Sequence, residues 1–314
     1  MRLINWVFKR RDCFSRLGTG PMAASAPFSQ AVEAVTNGDE SGLRALLAGN
    51  AGLVYERAPF RHRASLLHYV AANGVEVQRS PKNALAIARI LLEAGAEADA
   101  VAPVYGSSDT TLCLTVTSVH PYLAGVQTSL VDVLVDHGAK IDGVAGDGAP
   151  LGCALLFGYT QAAERLVLRG ARVDNLIYAA GLGPTDVVRY MLAAGTGTDR
   201  IVRRTDDRAG RFSFPVARDA DAREVALIVA AMHGRLSTVR VLLDGGVDVN
   251  ATPYCRQSAL HYAANMGRAE VVEELLARGA NASVVDTQMH QTPAQWAREG
   301  GNSAVAERLE GMNG

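Results

Sequence analysis

Seven histidines and four cysteines are the residues of this chain whose types suit proton transfer, nucleophilic attack or metal binding. Two of the histidines close matching tetrads, Ser65-Leu66-Leu67-His68 and Ser258-Ala259-Leu260-His261. Zinc and hydrolase chemistry needs several such groups at fixed spacing, because one imidazole alone neither encloses a cation nor activates a distant nucleophile. No His-Glu-x-x-His, no Cys-x-x-Cys and no Gly-x-Ser-x-Gly occurs, so the metalloprotease, zinc-finger and nucleophile-elbow templates lack their minimum parts. Gly143, Gly146 and Gly148 surround Asp147, yet a phosphate loop also needs a preceding buried strand and a closing Lys-Ser/Thr, and neither is present. Asp147-Gly148 reads as a tight turn instead. We expect no catalytic residue, no metal and no cofactor.

The chemistry that remains is noncovalent, and composition narrows it. Apolar residues make up 48% of the chain and aromatics only 6%, so the core must be built mostly from Ala, Leu and Val. A formal net charge of −1 removes the broad positive footprint of a nucleic-acid or anionic-membrane binder. Lysine is confined to Lys9, Lys82 and Lys140, and this arginine bias points to a GC-rich bacterial coding sequence. Cys13, Cys113, Cys153 and Cys255 are far apart, and two of them fall at core positions of helical patterns. Free buried thiols in a reducing, cytoplasmic setting are the expectation. No apolar run approaches the roughly 18 residues that a membrane-spanning helix requires. The segment Leu3 to Phe8 is too short for a secretory apolar region, and its basic cluster Lys9-Arg10-Arg11 follows rather than precedes it. Residues 1–26 are expected to form a flexible leader, of which 1–21 is either disordered or upstream sequence from an early start codon. A weak membrane or nucleic-acid tether through Trp6, Phe8 and Lys9 to Arg11 is the alternative use of this leader.

The elements that would position any site come from an internal repeat. Ser258 to Gly267 and Arg268 to Asn281 spell two short helices with a glycine after each. Leu260, Ala263 and Ala264 share one face, Val271, Val272, Leu275 and Leu276 share another, and Gly267 and Gly279 supply the turn and the left-handed stop. Gap-free copies lie at 226–247, 150–171 and 175–196. Copies at 65–96 and 110–139 carry extra residues between their helices, and degenerate copies lie at 28–50 and 292–310. About eight units over 27–311 result, with atypical ends as a stacked array requires.

The Ser/Thr-x-Leu-His-x-Ala segment followed by two helices and Gly-Ala resembles the ankyrin repeat, and Thr292-Pro293 keeps that family's dipeptide in the last copy. The resemblance implies an all-α solenoid of stacked helix-turn-helix units with short β-hairpin fingers and a concave binding face. It also implies that His68 and His261 fix turn geometry by bonding nearby backbone.

Departures from the repeat mark further candidates. Gly170 to Asp174 runs straight into Asn175, so one finger is missing there. Residues 196–223 form a connection longer than a finger, rich in Arg and Asp around Phe212-Ser213-Phe214-Pro215. Such loops are functional or disordered more often than not. The insertions Val75 to Asn83 and Val119 to Val126 lengthen turns in adjacent units and are expected to meet in space. The residue that ends each first helix is expected to face the concave side. That position gives Asn73, Ser118, Phe157, Leu182, His233 and Met266, with Leu156 and Met232 one step earlier. Together with finger-tip residues Tyr105 and Tyr254, and with Phe212 and Phe214, these are the expected contacts for a partner protein. We expect a monomeric scaffold with no nucleic-acid partner. The competing reading is an enzyme whose site lies under the 196–223 loop, and it would need a convergent acid-base pair.

Overall fold

The computed structural model describes residues 24–104, 108–195 and 221–312. These fall into two compact units, one of residues 24–172 and one of residues 173–195 with 221–312. In the first unit the helices are α1 (Ala26–Asn37), α2 (Glu40–Gly49), α3 (Leu66–Ala71), α4 (Ala84–Glu93), α5 (Thr111–Thr117), α6 (Val119–Leu123), α7 (Gln127–Asp136), α8 (Ala149–Leu156) and α9 (Thr160–Leu168). A 3-10 turn, Ala51–Tyr55, follows α2, and one hairpin pairs β1 (Val101–Ala102) antiparallel with β2 (Asp109–Thr110). The second unit holds α10 (Leu176–Leu182), α11 (Thr185–Ala194), α12 (Ala222–Met232), α13 (Leu236–Asp244), α14 (Ala259–Asn265), α15 (Ala269–Ala277), α16 (Pro293–Gly300) and α17 (Ser303–Glu310). The fold is all-α and repetitive.

Helices this short are marginal alone, so burial has to stabilise them. Every residue of α3, α5 and α14 is buried, while the second helix of each pair buries one apolar stripe. The first helices thus form the interior, and each is stacked on its neighbours: α3 on α1 and α5, α14 on α12 and α16. Side-chain caps start many of them. Ser25, Asp39, Thr110, Asn175 and Thr292 each accept from a backbone N–H of the first turn, which would otherwise have no partner.

Two devices tie one repeat to the next. The first uses the residue directly after the first-helix glycine. Arg235 Nε donates to the Gly181 carbonyl at 3.0 Å, Arg268 Nε to the Met232 carbonyl at 3.0 Å, and Asn302 Nδ2 to the Asn265 carbonyl at 2.6 Å. These are carbonyls at or near helix ends, where intrahelical donors run out. Gly267 permits this approach: its φ is 66°, and a Cβ there would collide with the Asn302 side chain. The second device lies at the finger bases. Asp99 Oδ1 accepts from the Lys140 N–H at 2.9 Å, Asp142 Oδ1 from the Arg172 N–H at 2.9 Å, and Asn250 Oδ1 from the Asn281 N–H at 2.8 Å.

Several expectations are corrected. The Val119 to Val126 insertion is not a plain turn, because α6 forms within it, with the Ser118 hydroxyl accepting from the His120 N–H. The two insertions anchor to different neighbours. Asn83 Nδ2 reaches back to the Gly38 carbonyl at 2.9 Å and to Glu40 at 2.8 Å, and Arg79 bonds Asn37. Tyr122, in contrast, lies against Tyr159 with ring centroids 5.2 Å apart. The long connection ends earlier than residue 223, since Asp221 caps and ion-pairs the first turn of α12. Of the cysteines, Cys113 is buried as expected, but Cys153 and Cys255 are half-exposed. Cys255 sits in a hairpin turn rather than a core. Cys13 lies outside the described residues.

Candidate functional site

Neither Leu-His imidazole is shaped for catalysis. Ser65 and Ser258 cap α3 and α14 in reciprocal boxes whose third helical residue is histidine. His68 Nδ1 accepts from the Ser65 N–H at 3.2 Å and lies 2.8 Å from its hydroxyl; His261 does the same with Ser258 at 3.2 and 3.0 Å. A ring nitrogen that accepts a backbone N–H carries no proton, so each imidazole is neutral. Burial pushes both down to about 4. The Arg57 charge adds to this at His68, while contacts to the Asp109 and Ala100 backbone oppose it. At His261 the Gln291 carbonyl, 3.3 Å from Nε2, and the Asp286 charge oppose it. A base so reluctant to take a proton, enclosed by its own cap, fixes a turn.

The sequence reading missed two polar clusters beside these boxes. In the first, Tyr69 donates its hydroxyl to Glu76 at 2.7 Å and His62 Nε2 lies 2.9 Å from the other carboxylate oxygen. His62 Nδ1 accepts from the Ala64 N–H at 3.1 Å, so Nε2 carries the ring proton and donates a hydrogen bond to Glu76. Burial would raise Glu76, but the bonds from His62 and Tyr69 outweigh it and hold the carboxyl below its ordinary value. In the second cluster, fully buried Asp286 accepts from the backbone N–H groups of Gln288, Met289 and Gln291 and from Trp296 Nε1. Glu76 lies in an insertion and Asp286 in a finger, so no repeat pattern flags either. Among the described residues no group of three or more His, Cys, Asp or Glu is placed to hold a metal ion, and no helix is long and apolar enough to cross a membrane.

The residues expected on the concave face divide sharply. Asn73 is buried, and its Nδ2 is spent on Thr117 Oγ1 at 2.9 Å and on the Leu114 carbonyl of α5. Met232 is fully buried, His233 is 4% exposed and Ser118 is 2% exposed. The burial of these positions corrects the assumption that the last helical residue always faces outward. Leu156, Phe157, Leu182 and Met266 remain half-exposed. In the first unit Cys153, Leu156 and Phe157 share one face of α8, at helical spacing i, i+3 and i+4. In the second unit Tyr254 is half-exposed and opens a hairpin turn in which Cys255 (φ 45°) and Arg256 (φ 56°) are both left-handed. That is the backbone a two-residue primed turn demands, here without the usual glycine. Tyr105, Phe212 and Phe214 lie outside the described residues. Fingers add apolar surface that the sequence reading overlooked. Val101, Val144 and Val285 each stand six residues after a repeat-closing glycine, and they are 43%, 48% and 38% exposed.

The matching boxes, the glycine-closed helix pairs and the hairpin fingers agree with a comparison to known families: the family described as ankyrin repeats (3 copies) matches residues 176–286 and 227–311. Residues 176–311 of the chain are ankyrin repeats. Its repeats resemble parts of larger proteins. The chain is 32% identical over 145 residues to the E3 ubiquitin-protein ligase hecd-1 of Caenorhabditis elegans, covering 40% of this chain and 5% of that protein. It is 32% identical over 143 residues to the probable E3 ubiquitin-protein ligase XBOS34 of Oryza sativa subsp. japonica, covering 44% and 24%. It is 32% identical over 80 residues to palmitoyltransferase Hip14 of Drosophila melanogaster, covering 25% and 13%. The chain therefore spans at most about a quarter of these relatives' length. Among solved structures, the human ASB11 ankyrin repeat domain aligns over 91% of this chain and 98% of its own, at 20% identity and a TM-score of 0.42.

Proposed function

We propose that this ankyrin-repeat protein is a non-enzymatic, cytoplasmic scaffold that captures a partner protein on its finger tips and first-helix ends. The observation that supports this most directly is the half-exposure of Phe157 and Met266 at the ends of largely buried first helices. Apolar side chains that interior packing leaves in reach of solvent are the anchors from which interface hot spots are built. Val144 on the finger leading into α8 extends that surface in the first unit, and Tyr254 extends it in the second. Short helices locked by caps and inter-repeat bonds present these groups with little ordering entropy left to lose on docking. Leu156 adds to the surface of the first unit, and Leu182 to that of the second.

The test is capture by the full chain beside a Phe157→Ser, Met266→Ser double variant shown to be folded by circular dichroism. A partner identified with the wild-type bait, reconstituted pure, and bound at least tenfold more weakly by the variant supports the reading. Equal binding by the two baits sinks it.

A further inference from the structure

Arginines in and at the ends of α9, α13, α15 and α17 are ion-paired: Arg165 and Arg169 with Asp132, Arg240 and Arg278 with Glu274, and Arg308 with Glu273. The finger of residues 56–64 differs. Arg61 and Arg63 are exposed, and neither guanidinium has an ion-pair or hydrogen-bond partner among the described residues. The carboxylates nearest in sequence are engaged elsewhere, Glu56 by the Ser25 hydroxyl at 3.0 Å and Glu76 by Tyr69 and His62. This finger is also braced. Ala58 donates its N–H to the Ala64 carbonyl at 2.8 Å, and Arg63 its N–H to the Phe60 carbonyl at 3.0 Å, which closes a turn over Phe60 to Arg63. His62, 2% exposed between the two arginines, lies against the Phe60 ring, accepts from the Ala64 N–H and donates to Glu76. Burying His62 leaves the arginine on either side of it facing solvent. Arg63 holds φ at 47°, a left-handed value that glycine adopts at less cost, so the turn alone gives no reason for a side chain there. A finger of the second unit repeats the pattern: Arg256 is exposed, holds φ at 56°, and has no side-chain partner among the described residues.

We infer that the finger tip of residues 60–63 grips a carboxylate-rich segment of the partner protein through Arg61 and Arg63. The inference rests on the reading of the fingers as a capture surface and adds the chemistry of the partner. A guanidinium fork pairs with a carboxylate through two parallel N–H···O bonds, and a braced turn leaves little ordering of the finger to oppose them. A protein segment fits this tip better than a nucleic acid or an anionic membrane does. The chain's net charge of −1 supplies no extended positive field. Apolar groups also adjoin the cations: Phe60 is half-exposed, and Arg57 of the same finger donates to the carbonyl of Val101, which is 43% exposed. Arginine beside apolar side chains is the make-up of a protein interface.

Fluorescence polarisation of the full chain with a labelled peptide of repeated Glu-Ser-Glu-Leu, beside the same peptide with Gln for Glu, tests the inference. The Glu peptide is expected to bind, and to bind less as salt rises from about 0.01 M to about 0.15 M and the screening length falls from about 30 to about 8 Å. The Gln peptide is expected not to bind. Arg61→Gln with Arg63→Gln, shown to be folded by circular dichroism, should weaken the Glu peptide at least fivefold. Arg63→Gly, which the left-handed backbone accommodates without strain, should weaken it as well. No binding, equal binding of the two peptides, equal binding by variants and wild type, or tighter binding of duplex DNA or phosphatidylserine vesicles overturns the inference. A captured partner that the Phe157→Ser, Met266→Ser variant loses and the arginine variants keep leaves the scaffold reading standing and sinks this one.

Discussion

The repeats that begin at Ser65 and Ser258 write the same local instruction and complete it with different chemistry. In both, serine and histidine close a capping box and the next residue is a tyrosine, Tyr69 or Tyr262, whose hydroxyl must find a partner once buried. In the first unit that partner is a carboxylate, Glu76, from an insertion, and Glu76 also receives His62. In the second it is a neutral amide, Gln257 Oε1 at 2.7 Å, from the preceding finger, and Gln257 Nε2 in turn donates to Gln288. The backbone geometry is shared and the polar satisfaction is not. A repeat therefore specifies its helix pair locally, while the groups that quiet its buried hydroxyls are drawn from whatever the flanking loop offers.

The largest effect should come from what the two repeats share. Each imidazole has a folded value near 4 against about 6.5 when unfolded. Above pH 6.5 both states are neutral and neither histidine makes stability depend on pH. Below it the unfolded chain takes the proton first, so stability falls until about pH 4 and then levels. The loss is on the order of 3 kcal/mol per imidazole. Urea titrations at pH 7 and pH 4.5 would show it. His68→Gln and His261→Gln should each remove their part of the slope, and an unchanged slope would mean that other groups titrate.

The next effect separates the two repeats. Gln257→Glu places a carboxylate that is 2% exposed beside Gln288 Oε1 with no donor for one of its oxygens. That should cost about 2–4 kcal/mol. Glu76→Gln keeps an acceptor for Tyr69 on a partly exposed side chain and should cost only about 1 kcal/mol. Equal costs at the two sites would erase the distinction between insertion and finger. The smallest effect belongs to the outer helix faces. Arg308 pairs with Glu273 at 2.8 Å, but both are about half-exposed, so Arg308→Ala should shift stability by less than about 1 kcal/mol. Thermal melts in low and high salt would measure that shift.

Much of this was legible beforehand. Val271, Val272, Leu275 and the glycines around them announced the helix pairs, because period 3.6 and a left-handed stop are local properties. The role of His68 and His261 came with the resemblance of their tetrads to the ankyrin repeat. The candidate surface was only half legible. Phe157 and Met266 stayed in reach of solvent, whereas Met232 and His233, at the same helix end, are buried.

By itself the sequence determined the repeat, its helix pairs, its caps and its apolar core, since each depends on residues within a few positions of one another. Only the tertiary structure decided which helix ends are covered and that Glu76 and Asp286 serve buried donors. Those outcomes depend on side chains about 7 to 45 residues apart in the chain meeting in space, and no local period encodes such meetings.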